Sequence, residues 1–151
     1  MERKKTASAY VLDDQNKLLC VFHKKFGKWV QPGGHIEGEE DPLETARREV
    51  YEETGIHIEF LIKEPIYIAE YDTVVGKQLD YQYVAIPLNH KICHNIENKG
   101  ARFWSLEDLK KIDTVDDLIE MYQRALSYRE KEEYKWTKEL LLKRNSKKMK
   151  N

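Results

Sequence analysis

The chain has 151 residues, 40% hydrophobic and 35% charged, with a formal net charge of −1. That length suits one domain with a substantial core rather than two. The balanced charge excludes a global field that would gather nucleic acid or anionic lipid, and no apolar run is long enough for a signal peptide or a membrane span.

Residues 7–12 and 17–23 read as two strands joined by the polar turn Asp13-Asp14-Gln15-Asn16. Residues 24–28 form a basic loop containing Gly27, and Trp29-Val30-Gln31 is a short extended piece that stops at Pro32-Gly33-Gly34. A helix is predicted over 42–54. Asp41 suits the N-cap, Pro42 the first helical position, and Glu44 stands three residues after the cap in a capping-box arrangement. Gly55 follows the last turn, where a left-handed residue ends a helix. Leu43, Ala46 and Val50 give this helix an apolar face.

Strands follow over 56–62, 66–72 and 79–86, with Gly76-Lys77 near the turn between the last two. Residues 101–104 form a short strand, Ser105 caps a helix over 106–111, and a longer helix begins near Thr114. Strands with inserted helices and no regular β–α–β rhythm predict an α/β (α+β) domain over residues 1–127, its mixed sheet covered by helices on both faces. Residues 128–151 form a polar, basic helical extension ending in Lys143, Arg144, Lys147, Lys148 and Lys150. It reads as a solvated helix fraying at its end, or as an arm that attracts phosphate. Cys20 and Cys93 lie far apart with no metal-type spacing, so they call for no oxidising compartment and a cytoplasmic location is expected.

The chemistry is concentrated on the predicted helix. Glu49, Glu52 and Glu53 are spaced i, i+3 and i+4, which lines three carboxylates along one face. Helix stability alone argues against this placement. Glu49 and Glu53 repel at a cost of roughly a few tenths of a kcal/mol, and Glu52 and Glu53 sit where the helix dipole disfavours anions. Breaking local rules beside good caps points to a site. Carboxylates without His or Cys partners favour a hard cation, Mg²⁺ or Mn²⁺, which keeps water and accepts phosphate oxygens. A solvent-exposed acidic face is the alternative.

The wider pattern resembles a complete Nudix box. Gly34, five residues, Glu40, seven residues, then Arg48-Glu49-Val50-Tyr51-Glu52-Glu53-Thr54-Gly55-Ile56 meets every specified position of Gly-x5-Glu-x7-Arg-Glu-U-x-Glu-Glu-x-Gly-U, where U is aliphatic. The resemblance implies an α/β/α sandwich with the box as loop–helix–loop. It implies a hydrolase in which Mg²⁺ activates water to attack a diphosphate linkage in a nucleoside diphosphate-X substrate. Glu49, Glu52 and Glu53 would be metal ligands, one of them a general base, and the Gly33 carbonyl would join them. Gly34 would let the loop turn closely, and Arg48 would pair with Glu40 to hold loop against helix. Family members often add a distal acid ahead of an aromatic-Trp strand. Glu97 before Phe103-Trp104 fits that role, with Glu70 and Asp72 as weaker candidates.

Substrate identity is left open. A small MutT-like (d)NTP pyrophosphatase is the expectation, with a dinucleoside polyphosphate, a nucleotide sugar, an RNA 5′ end or non-catalytic nucleotide sensing as alternatives. Asp116-Asp117 resembles an acidic pair that reads a purine edge, or else complements a helix N-terminus. Lys24 and Lys25 stand where the family often contacts phosphate. Trp29, Phe26 and Tyr83 are packing residues or base-stacking ones, and Tyr71 is a packing residue or a substrate contact. The partner would be a small nucleotide, with no membrane and no nucleic acid required, and the chain a monomer or homodimer.

Overall fold

A computed structural model describes residues 4–74, 76–93 and 100–132. In chain order the elements are β1 (Lys4–Val11), β2 (Leu18–His23), β3 (Lys28–Val30), β4 (Gly33–His35), α1 (Pro42–Thr54), β5 (Ile58–Phe60), β6 (Tyr67–Thr73), β7 (Gly76–Pro87), β8 (Ala101–Trp104) and α2 (Leu106–Leu109). A further helix, α3, covers 118–132 of the described residues. Five strands make a mixed sheet ordered β4-β1-β7, with β5 and β6 sharing the far edge of β7. Strands β3, β2 and β8 form a smaller antiparallel sheet.

The parallel pairing of β1 with β7 organises the large sheet. Ala7 lies beside Tyr81, Ala9 beside Tyr83 and Val11 beside Ala85, while the alternate pairs are Thr6 with Asp80, Ser8 with Gln82 and Tyr10 with Val84. Side chains alternate between faces, so the two sets point opposite ways. Ala7, Ala9 and Val11 pack with Ala46 and Val50 of α1, and their small size lets the helix lie close to the sheet. On the other face Tyr10 and Val84 are covered by Leu118, Met121, Tyr122 and Ala125 of α3. The rest of that face is polar, with Thr6, Ser8, Asp80 and Gln82 all buried. The result is a mixed sheet between helices, as the strand and helix pattern implies.

Three local expectations change. The extended piece at Trp29 does stop before Pro32, but Gly33-Gly34 opens a further strand, β4, because Gly33 pairs with Ser8 and Gly34 with Ala7. Thr114 starts no helix. It bridges Trp29, whose amide donates to the Asp113 carbonyl at 3.0 Å, and α3 begins at 118. The helix after Ser105 stops at Leu109 rather than at 111. Across the expected boundary at 127 the helix α3 continues unbroken. Tyr128 packs on the core, and Arg129 donates to the Leu12 and Asp13 carbonyls. Residues 133–151 of the expected extension lie outside the described residues. Among the described residues, no helix is long and apolar enough to cross a membrane.

Leu118 is fully enclosed between α3 and the sheet. Leu118→Ala is expected to lower unfolding free energy by about 3 kcal/mol in urea titration, and a loss below about 1 kcal/mol would contradict α3 as the cover of this face.

Candidate active site

The helix α1 is fixed at both ends. The Asp41 side chain accepts from the Leu43 amide at 3.0 Å, and Pro42 fills the first turn where no amide donor is wanted. Glu44 pairs with Arg47 at 3.4 Å instead of closing a capping box. At the other end Gly55 adopts φ 75°, and its amide reaches the Tyr51 carbonyl at 2.8 Å. The Cys93 amide takes the Thr54 carbonyl at 2.8 Å, and the Asn89 side chain takes that of Gly55 at 3.0 Å. The last-turn carbonyls are thus occupied, which holds the acidic face in one rotation about the helix axis.

Arg48 joins this helix to the loop before it. Its Nε and Nη2 donate to the two Glu40 oxygens, each at 3.0 Å, the paired geometry that makes Arg–carboxylate contacts strong. Nη2 also reaches the His35 carbonyl at 3.1 Å, while Nη1 donates to Glu49 at 2.8 Å and lies 3.3 Å from Glu52. Thr45 donates to Glu40 at 2.6 Å. The bonds from Arg48 and then Thr45 hold the Glu40 carboxyl down at about 2. The same contacts keep Arg48 protonated, above its ordinary value.

Glu49 and Gly34 are matched in shape. A Cβ at Gly34 would stand 2.3 Å from the Glu49 carboxyl carbon, so the missing side chain leaves the space in which that carboxylate sits. Gly33 is required for a different contact, since its Cβ would meet the Ala7 carbonyl and Ser8 Cβ at 2.5 Å. Burial pushes the Glu49 carboxyl up against the pull of Arg48. Glu53 is raised further, to about 8, by burial first and then by Glu49, with which it shares a hydrogen bond. The Gly33 amide donates to Glu53 and opposes the rise. Burial and mutual repulsion both disfavour full charge on the two carboxyl groups at once.

The structure therefore brings Glu40, Arg48, Glu49, Glu53, Gly33 and Gly34 into one group. Glu52 sits at its rim, 55% exposed and held by Arg48. As they stand, no three acidic, His or Cys side chains among the described residues are close enough to hold one ion. Glu97 lies outside the described residues. Lys24 and Lys25 are exposed in the turn after β2, on the smaller sheet. Asp116 and Asp117 are exposed in the turn before α3, Asp117 at φ 67°. They line an open hollow of about 430 Å³ formed by residues 114–120 and Gln123, to which α1 contributes nothing.

Glu70 pairs with Lys77 across the β6–β7 hairpin at 3.2 Å. Trp29 packs edge-on against Trp104, their ring centres 4.9 Å apart, and Tyr83 is core, whereas Phe26 and Tyr71 remain exposed. Two contributions went unforeseen: Thr45, whose position one turn before Arg48 suits a contact with Glu40, and the buried polar set Thr6, Ser8, Gln31, Asp80 and Gln82. Asp80 and Gln82 share strand parity, a signal that a single face of β7 turns polar.

A family model described as the NUDIX domain matches residues 2–125. The chain is 42% identical over 71 residues to an RNA pyrophosphohydrolase of Bartonella henselae, a match covering 44% of this chain and 41% of that one. It is 36% identical over 84 residues to a probable DHNTP pyrophosphohydrolase of Lactococcus lactis subsp. cremoris, covering 56% and 42%. These matches thus span about two fifths of each relative's length. A NUDIX-family hydrolase from Clostridium perfringens superposes with TM-score 0.74 at 27% identity, over 84% of this chain and 98% of that one.

The depressed Glu40 gives a pH test. Its folded value of about 2 lies below the ordinary 4.5, so its contribution is present above 4.5 and is lost as pH falls toward 2. Glu40→Gln should be less stable than wild type at neutral pH, with the gap narrowing as acid is added. A gap in urea midpoints that stays constant with pH would contradict the clamp.

Proposed function

Because the chain belongs to the NUDIX domain family, we propose that it is a divalent-cation-dependent hydrolase that splits the diphosphate linkage of a nucleoside diphosphate-X substrate. The observation that carries this reading is the Glu49 carboxylate seated in the space that Gly34 leaves, with buried Glu53 one helical turn on beside the Gly33 backbone. A cation bound between these carboxylates would relieve their repulsion. An all-oxygen donor set with no thiolate or imidazole suits Mg²⁺ or Mn²⁺. In this reading Glu49, Glu53 and the Gly33 carbonyl hold the metal, Glu52 turns in from the rim, and Glu97 adds a distal ligand. When bound, the cation neutralises phosphate charge and acidifies water.

The chain's own residues then position and move protons. Arg48, tied to Glu40 and to the His35 carbonyl, fixes the rotamer of Glu49. Glu53 is oriented by the Gly33 amide and is the group that takes the proton from attacking water. Lys24 and Lys25 would contact phosphate, and Asp116 and Asp117 the base. A (d)NTP pyrophosphatase of MutT type is the substrate class we favour. The match to a relative named RNA pyrophosphohydrolase supports an RNA 5′ end as the second reading.

Incubation with a panel of nucleoside triphosphates, dinucleoside polyphosphates and 5′-triphosphorylated RNA, with products identified, should show metal-dependent release of pyrophosphate or phosphate from at least one. Gly34→Ala should fold normally yet lose about 100-fold in kcat, since its Cβ displaces the Glu49 carboxylate. Wild-type activity in that variant would remove Glu49 from the site. Titration of Mg²⁺ at pH 7 in buffers of different ionisation enthalpy should release a proton from the wild type and none from Glu53→Gln. Equal release from both would remove Glu53 as its source.

A further inference from the structure

The two sheets have five edge strands among the described residues, and four of them are short. Strands β3, β4 and β5 have three residues each and β8 has four. The fifth, β6, has seven and pairs with β7 alone. Its ladder runs without a bulge from Tyr67 opposite Gln82 to Thr73 opposite Gly76, and it contains no Lys, Arg or Pro. Short strands, bulges, lysines and prolines are the usual means by which an edge resists a further strand, and β6 has none of them.

This edge also gathers apolar surface. Of seven large hydrophobic side chains exposed among the described residues, Tyr67, Ile68, Tyr71 and Val74 belong to β6 or to the turn after it. Its two acids are partly neutralised from within the hairpin. Glu70 pairs with Lys77 at 3.2 Å, and Asp72 stands opposite the same lysine in the register.

We propose that β6 is the seam of a homodimer, in which it pairs antiparallel with β6 of a second copy about a two-fold axis through Ala69. A two-fold axis perpendicular to the sheet leaves every side chain on its own face, so residues of like parity come opposite each other and the axis passes through one residue. Glu70 on the axis sets two glutamates face to face. Tyr71 on the axis sets Glu70 against Asp72 twice. Ile68 on the axis leaves only residues 67–69 in pairing, because the strand begins at Tyr67. Ala69 on the axis pairs residues 67–71 and opposes no two acids. Tyr67 then lies beside Tyr71 and Ile68 beside Glu70, each twice. The smallest side chain of the strand stands at the centre, with a tyrosine pair on either side.

The helix above this face matches itself in the same register. The Arg124 guanidinium of α3 lies 5.4 Å from the centre of the Tyr67 ring. At the other end of the strand the Tyr71 phenol is pushed up by burial, then by Asp80 and by Asp117, which stands just before α3. Setting Tyr67 beside Tyr71 of the second copy therefore turns each Arg124 toward the other copy's Asp117. Glu120 comes nearest the axis, one turn from Arg124 of its own helix. Opposite charges thus meet at both ends of the seam. A two-fold interface requires this self-complementarity, and a foreign strand does not, which favours a second copy as the occupant.

Sedimentation equilibrium of the full-length protein, from micromolar to submillimolar concentration, tests the seam. Wild type should approach twice the chain mass. Ile68→Glu sets an acid against Glu70 of the other copy and should weaken the dimer about tenfold, because the like pair occurs twice. Ile68→Lys sets a base there and should dimerise at least as tightly as wild type. Equal weakening by both substitutions overturns the Ala69 register, and a dimer indifferent to both overturns the seam. Wild type supplies a second measurement if a variant does not fold: amide exchange in β6 should slow as concentration rises, while that in β4 stays constant. A monomer at every concentration overturns the proposal, and slow exchange in β6 of that monomer would assign the edge to residues 133–151 of the same chain.

Discussion

The parallel ladder between β1 and β7 is the constraint from which the rest follows. It aligns Thr6 with Asp80 through Val11 with Ala85, and strand alternation then assigns each residue to a face. A shift of one residue would put Ala7 and Ala9 under α3 and Thr6 and Ser8 under α1. The alanines would no longer admit α1 closely, and the hydroxyls would lose Asp80. The same ladder places β4 on the free edge of β1, so that Gly33 and Gly34 come under the acidic face of α1. Packing and chemistry share one register.

On α1 the contacts differ in weight. Arg47 and Glu44 form an exposed i, i+3 pair, which is worth at most about 0.5 kcal/mol. Arg48 has the same charge but binds Glu40 through two nitrogens, caps the His35 carbonyl and braces Glu49. A lysine there could not reproduce the planar fork. Arg48 neutralises Glu40 fully and Glu49 only in part, leaving the Glu49–Glu53 pair with unrelieved repulsion. The helix tolerates it because both its termini are anchored and because Val50 and Ala46 are buried on the face turned to the sheet.

Much of this was legible in the sequence where the signal is local. The bounds of α1 follow from Asp41, Pro42 and Gly55, each acting within a turn of itself, and the structure places the helix over the same residues. The spacing of Glu49 and Glu53 likewise predicts their proximity. Gly33-Gly34 misleads, because paired glycines usually mark a turn. Their strand depends on Ser8 and Ala7, distant in sequence. Thr114 misleads for a related reason: its β-branched side chain could begin a helix, but Trp29 captures its backbone first. The Asp80 network is long-range where it matters most, since Thr6 and Ser8 stand more than 70 positions from the carboxylate they donate to. No window along the chain contains it. The role of Gly34 as empty space for a carboxylate also appears only when the helix is laid over the strand.

The placement of α3 has a consequence for how the domain is made. The cover for Tyr10, Leu12, Leu18 and Val84 comes from Leu118, Met121, Tyr122 and Ala125, and the turn after β1 is held by Tyr122 and Arg129 through the Asn16 and Asp13 carbonyls. A nascent chain emerging from the ribosome therefore leaves Tyr10, Leu12, Leu18 and Val84 uncovered until α3 has been synthesised. During that interval the strands are open to pairing with other chains. Until α3 docks, the early strands are the segment that a chaperone would have to shield.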